Sequence, residues 1–150
     1  GSQGNNFAKT ILQLASERDT LSVVADERGV PTSATLIAMV TAQAITDGKA
    51  NHAWEDGIYN LTPTGETTWH ELACRIVDIA QGAGLMLRAQ KENVKPISTA
   101  EYQVQAQRPM NSVLNTRKLQ SQLTQTLPTW EEDFTQEMEQ IIEGKSREAA

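Results

Sequence analysis

The chain has one cysteine, Cys74, in 150 residues, so no disulfide can close within it. That fits a reducing compartment, and a cytoplasmic location is expected. Basic residues are few and scattered: 13 lysines and arginines stand against 19 acidic residues, a formal net charge of −6. This argues against nucleic acid or an anionic membrane as the main partner, while leaving room for a small anion held by one or two arginines. No apolar run approaches the roughly 20 residues needed to cross a bilayer. The polar start, Gly1 to Asn6, has no apolar signal-peptide core. Residues 1–3 read equally as a tag remnant or as natural sequence.

Several catalytic signatures are also missing. A dinucleotide seat needs a glycine-rich turn that opens a helix, so that backbone N–H groups face a pyrophosphate. The nearest candidate, Gly82-Ala83-Gly84, has Leu87 where a third glycine is required, and it follows a helix, which is the C-cap pattern. A tyrosine can act as an acid near neutral pH when a lysine four residues on shares its helix face and lowers the phenol's pKa. Four residues beyond Tyr59 is Pro63, and beyond Tyr102 is Ala106, so neither makes that pair. His70 and Cys74 have helical spacing for two metal ligands, but no third ligand is evident, and no metal site is expected. They read instead as a half-exposed histidine and a small apolar thiol. His52 in a polar loop reads as solvated. Gly48-Lys49 lacks the rest of a phosphate loop. The sequon Asn60-Leu61-Thr62 is followed by Pro63 and comes without a secretion signal.

What is present is a series of capped amphipathic segments. Phe7 to Arg18 reads as a helix with Phe7, Ile11, Leu14 and Ala15 on one face and Asn5 or Asn6 as cap. Leu21 to Ala25 reads as a strand, followed by the turn Asp26 to Gly29. Thr32 or Ser33 caps a second helix to about Ile45, burying Leu36, Ile37, Val40, Ala44 and Ile45, with Gly48 as its stop. Ile58 to Leu61 reads as a strand. Thr68 and Glu71 have capping-box spacing for a helix through Leu72, Ala73, Ile76, Val77 and Ala80. Leu85 to Leu87 and Val94 to Ile97 are strand candidates. Ser98 to Ser112 reads as irregular. Asn115 or Thr116 opens a short helix through Leu119 and Leu123. Thr129 and Glu132 form another capping box, ahead of a helix carrying Trp130, Phe134, Met138 and Ile141 in one stripe to Gly144; residues 145–150 read as a frayed tail. The acidic run Glu131, Glu132, Asp133 suits a first turn. Tryptophans and methionines on helices read as core, with Trp54 left in a polar loop. The order is α/β, with few strands for its helices, as in part of a doubly wound sheet with a helical cap.

Several segments, in this order, resemble the dTDP-4-dehydrorhamnose reductases, a family of extended short-chain dehydrogenases/reductases. They are Gly4 to Thr10, Val23 to Asp26 with Gly29 to Thr32, Gly57 to Leu61, Gly65 to His70, Arg108 to Ser112 with Leu114 to Thr116 and Lys118-Leu119, and Leu127-Pro128 with Trp130. The resemblance implies an incomplete Rossmann-like portion plus the small C-terminal substrate-binding subdomain, spanning residues 1–150. It implies a parent enzyme that uses NADPH or NADH, with Mg as an optional addition, to reduce dTDP-4-dehydro-L-rhamnose to dTDP-L-rhamnose for cell-surface polysaccharide. The family's glycine motif and Tyr/Lys pair precede the stretch matched here. The chain alone is therefore expected to be inactive, and their absence reads as truncation or proteolysis. By the same resemblance Arg108 is expected to bind the nucleotide diphosphate, with Arg28, Thr32 and Asn6 as further substrate-binding candidates. Where the family more often has glutamine and a bulkier or aromatic residue, this chain has Glu27 and Arg28. Asn111 and Ser112 are expected to fix the loop. A non-catalytic module, like the regulatory subunit of methionine adenosyltransferase that resembles the same family, is the alternative. Self-association is expected through the faces of Leu36 to Ile45 or Leu72 to Ala80, which would otherwise pack on the remainder of the enzyme.

Overall fold

A computed structural model describes residues 4–49, 54–102 and 108–148. Residues 1–3, His52, the 103–107 part of the irregular stretch and the last two residues of the tail lie outside the described residues. Helix α1 (Phe7–Glu17) starts where expected: the Asn6 side chain accepts the Lys9 amide at 3.0 Å. It leads into β1 (Leu21–Val24), which pairs in parallel with β4 (Val94–Ile97), Leu21 opposite Val94 and Val24 opposite Ile97. Between these strands come β2 (Arg28–Gly29), α2 (Ala34–Lys49), β3 (Thr67–Thr68) and α3 (Trp69–Gly82). Beyond β4 are α4 (Thr99–Tyr102), α5 (Arg117–Gln120) and α6 (Trp130–Glu148).

The main core is organised around α3. Its capping box is complete: the Thr68 hydroxyl accepts the Glu71 amide at 3.1 Å, and Glu71 accepts the Thr68 amide at 2.9 Å. Leu72, Ala73, Ile76, Val77 and Ala80, the stripe read from the sequence, are all buried. They pack with Ile11, Leu12 and Ala15 of α1, Leu21 and Val23 of β1, Val94 of β4 and Met138 and Ile141 of α6. Burial of such side chains contributes about 1.5–3 kcal/mol each, the main driving force for this layer. At the far end Gly84 takes φ +84°, and the amides of Gly84 and Leu85 reach Gln81 and Ala80 at 2.9 Å. This is a Schellman closure, as the C-cap reading anticipates.

A second, smaller core joins Leu36 and Val40 of α2 to Leu119 and Leu127, with Trp54, Tyr59, Leu61 and Leu123 against it. Trp54 is thus a packed side chain, its ring 5.4 Å from that of Tyr59. The two cores are tied by buried polar contacts. Asp133 in the first turn of α6 accepts the Ser33 amide at 2.9 Å and its hydroxyl at 2.6 Å, while the Ser33 hydroxyl accepts the Leu36 amide at 2.9 Å. One turn further on, Thr35 donates to Glu137 at 2.7 Å.

Several expectations are corrected. The Ile58–Leu61 segment is no strand: Ile58 is 88% exposed, and Tyr59 turns onto Trp54 and Lys118 instead of pairing. Leu85–Leu87 is no strand because the chain beyond it is held by the end of α1, the Arg88 and Ala89 amides both donating to Ala15 O. The buried face of α2 is narrower than its apolar residues suggest. Leu36 and Val40 are buried, but Ile37 and Ile45 are exposed, because α2 has the smaller core on one side only. Met39 on α2 is exposed too, against the expectation that helical methionines are core. Neither Gly48 nor Gly144 stops its helix; α2 runs to Lys49 and α6 to Glu148, so the tail from residue 145 begins helical. Of the two faces expected to self-associate, Leu72 to Ala80 is buried within the chain and cannot serve.

Candidate functional site

The site grows from the short β2–β3 pairing. Arg28 lies opposite Thr68 and Gly29 opposite Thr67. On its other side β2 receives the loop of residues 108–112: the Arg28 amide donates to Met110 O at 2.8 Å, and the Ser112 amide and hydroxyl both donate to Arg28 O at 2.9 Å. The approach is so close that a Cβ on Gly29 would stand 2.9 Å from the Ser112 hydroxyl oxygen. Asn111 accepts the Val113 amide at 2.9 Å. Asn111 and Ser112 therefore fix the loop, as the sequence reading had it, and the loop carries Arg108.

A cleft of about 220 Å³ results, with Arg28 and Arg108 among its lining residues and Val30, Pro31, Trp69, Leu72 and Pro109 as apolar wall. A second compartment of about 320 Å³ shares Glu27, Trp69 and Arg108 with it and extends along Phe7, Ile11 and Leu14 of α1 and the residues of β1. Two guanidinium groups over an apolar wall can grip phosphate oxygens in a bidentate fork while a less polar group lies alongside. The Arg28 guanidinium is paired with Glu66 at 2.7 Å on the surface, an exposed contact that an anion can displace at little cost.

Of the four expected substrate-binding residues, the fold brings Arg28 and Arg108 together. Thr32 is not among the lining residues of either compartment, and its hydroxyl donates to Val30 O at 3.3 Å. Asn6 is the α1 cap, next to Phe7 at the second compartment. Two lining residues were not singled out as binding residues from sequence. Trp69 reads there as a core residue of its helix, and this is corrected: it is 37% exposed at the junction of the compartments. Glu27 stands where the family more often has glutamine, and an acidic side chain pointing at a diphosphate would be unfavourable there. It is in fact buried, accepting the Trp69 indole N–H at 3.1 Å and the Thr99 hydroxyl at 3.3 Å.

The hydroxyl and then the amide of Thr99 hold the Asp26 carboxyl below its ordinary range, which ties the end of β1 to the start of α4. The His70 Nε2 lies 3.0 Å from Val94 O and 3.6 Å from the Cys74 sulfur. The carbonyl makes that nitrogen a donor, and burial pushes the Cys74 thiol up, so the pair is poorly set to bind a metal or attack. Because Gly82 and Gly84 close a helix, a dinucleotide pyrophosphate does not fit at that pair.

A family profile described as the RmlD substrate binding domain matches residues 1–142. The dTDP-4-dehydrorhamnose reductase of Salmonella typhimurium is 46% identical over 129 residues, covering 86% of this chain and 42% of that protein. The chain thus spans less than half the length of this relative. Among solved structures, a dTDP-4-dehydrorhamnose reductase from Clostridium acetobutylicum superposes with a TM-score of 0.76 at 28% identity, covering 93% of this chain and 45% of the other. The Bacillus anthracis dTDP-4-dehydrorhamnose reductase, solved in complex with NADP, gives 0.68 at 32% identity, covering 93% and 43%. The few-stranded α/β fold accordingly superposes on a portion of these solved structures, and the chain belongs to the RmlD substrate binding domain family.

Proposed function

We propose that residues 1–150 form the C-terminal, nucleotide-sugar-binding region of a dTDP-4-dehydrorhamnose reductase, with Arg108 and Arg28 on the diphosphate of dTDP-4-dehydro-L-rhamnose. In the whole enzyme, which we place in the cytoplasm, the remaining half supplies the seat for NADP(H) and the proton donor. Together they reduce the 4-keto group to give dTDP-L-rhamnose. The observation that supports this most directly is that Arg28 and Arg108, far apart in sequence, line one cleft beside Trp69 and Pro109. Thr32 and Asn6 lie outside that group and contribute through the local turn and helix start.

The test is a titration of the chain with dTDP followed by NMR. Amide shifts should centre on residues 27–30 and 108–112. Arg108→Ala should weaken binding about tenfold to a hundredfold, the value of a charge-assisted contact of roughly 1.5–3 kcal/mol. Unchanged affinity in that variant removes the reading. Capture of a methionine adenosyltransferase without dTDP binding replaces it with the regulatory-module alternative. Self-association is carried forward through α2 alone, whose Ile37, Met39 and Ile45 are exposed. A monomer in sedimentation at high concentration removes it.

A further inference from the structure

Trp69 is the largest side chain on the wall common to both compartments of the cleft. A partly exposed indole at the first residue of a helix is ordinarily free to change rotamer. This one is held on two sides. Its N–H donates to a Glu27 carboxylate oxygen at 3.1 Å, and the Phe7 ring lies against it, centroids 4.8 Å apart at 55°. Glu27 is itself held by burial: the residue is only 7% exposed, and its other oxygen lies 3.3 Å from the Thr99 hydroxyl, whose proton goes chiefly to Asp26 at 2.6 Å. The indole N–H is a neutral donor. A carboxylate buried among neutral donors is costly to desolvate, and its packing volume alone gives no compensation. What it does accomplish here is to fix the plane of an aromatic ring beside Arg108.

We infer that Glu27 is a positioning residue, and that the Trp69 indole it fixes is the platform on which the planar base of the nucleotide stacks. The stacking partner rests on the nucleotide-sugar reading above; the Glu27–Trp69 link does not. An indole face accepts any flat ring but gains most when it is immobile before binding, since no rotamer entropy is then lost. The acceptor role also explains why a carboxylate can line a site for an anion. Its two oxygens face the indole N–H and the Thr99 hydroxyl, and a glutamine carbonyl could serve the indole equally.

The experiment uses the whole chain and has a readout that needs no ligand. In Glu27→Ala the indole N–H signal of Trp69 should move upfield and lose its protection from solvent exchange; in Glu27→Gln both should stay near wild type. With dTDP, Glu27→Ala should bind about tenfold more weakly and Glu27→Gln within about twofold of wild type, the range set by loss or retention of one base-stacking contact. Trp69→Ala and the double variant Glu27→Ala/Trp69→Ala should match each other. Thymidine alone should shift the Trp69 signal, and inorganic pyrophosphate alone should not. An indole signal indifferent to Glu27→Ala, a glutamine variant as impaired as the alanine one, additive losses in the double variant, or a Trp69 response to pyrophosphate overturns the proposal. If the wild-type chain binds no dTDP, the nucleotide reading and the stacking fall together, and the indole signal in the two Glu27 variants still decides the positioning role.

Discussion

Asp133 offers the sharpest test of how the two cores are joined. It is 7% exposed, as is Ser33, and it accepts both the Ser33 amide at 2.9 Å and the Ser33 hydroxyl at 2.6 Å. Hydrogen bonds to a charged acceptor are worth about 1.5–3 kcal/mol each. Replacing Asp133 with alanine removes both and leaves the Ser33 amide buried without that acceptor. It also removes a carboxylate from the first turn of α6, where the helix dipole favours it by about 0.3–1 kcal/mol. Against this stands the relief of no longer desolvating a charge, which offsets several kcal/mol in such sites. The expected net loss is about 2–4 kcal/mol for Asp133→Ala. Asp133→Asn keeps one acceptor oxygen and should lose about half as much. Urea unfolding followed by tryptophan fluorescence measures this as a fall in midpoint of about 1–2 M at unchanged slope. In a double-mutant cycle with Ser33→Ala the losses should be strongly non-additive, with a coupling of about 1.5–3 kcal/mol. A loss under about 0.5 kcal/mol, or simple additivity with the serine variant, refutes the idea that this contact holds α2 to α6.

Two further predictions rest on local geometry. Gly65 has φ +90°, and a Cβ there would stand 2.9 Å from Cδ1 of the buried Trp130, so Gly65→Ala should destabilise by about 1–3 kcal/mol in thermal unfolding; an unchanged midpoint counts against the close approach. Asp26 titrates below its ordinary value of 3.8, chiefly through the Thr99 hydroxyl. Its folded pKa is depressed, so its contribution to stability is present above the unfolded value and is lost as pH falls through the folded one, in the acid range below 3.8. Thr99→Val should raise the Asp26 titration midpoint, read from the side-chain carboxyl carbon by NMR, and a midpoint that stays put removes the assignment.

Helix starts were legible in the sequence because their chemistry is local. Asn6, Thr68 and Thr129 each act on a residue three positions on, and all three contacts are found. The buried stripe of α3 was legible for a different reason: that helix has neighbours on several sides, so most of its apolar residues meet something. The same reasoning failed for α2, which has an equally apolar sequence but a neighbour on one side. It failed again for Ile58 to Leu61, since an extended apolar segment becomes a strand only if a partner edge is within reach. Within the site, Arg108 and Arg28 were reachable through the family resemblance, whereas Glu27 and Trp69 carry no local signal of a shared wall.

The amino-acid sequence by itself settled the helix caps and the apolar stripe of α3, because each depends on residues within a few positions of one another, and with them the α/β order of the elements. Tertiary structure alone decided that Ser33 is satisfied by Asp133, that Glu27 turns to an indole, and that Arg28 and Arg108 line one cleft. Those partners lie tens of residues apart along the chain. Only the packing of α3 against β1 and β4, and the stitching of the 108–112 loop along β2, brings them together.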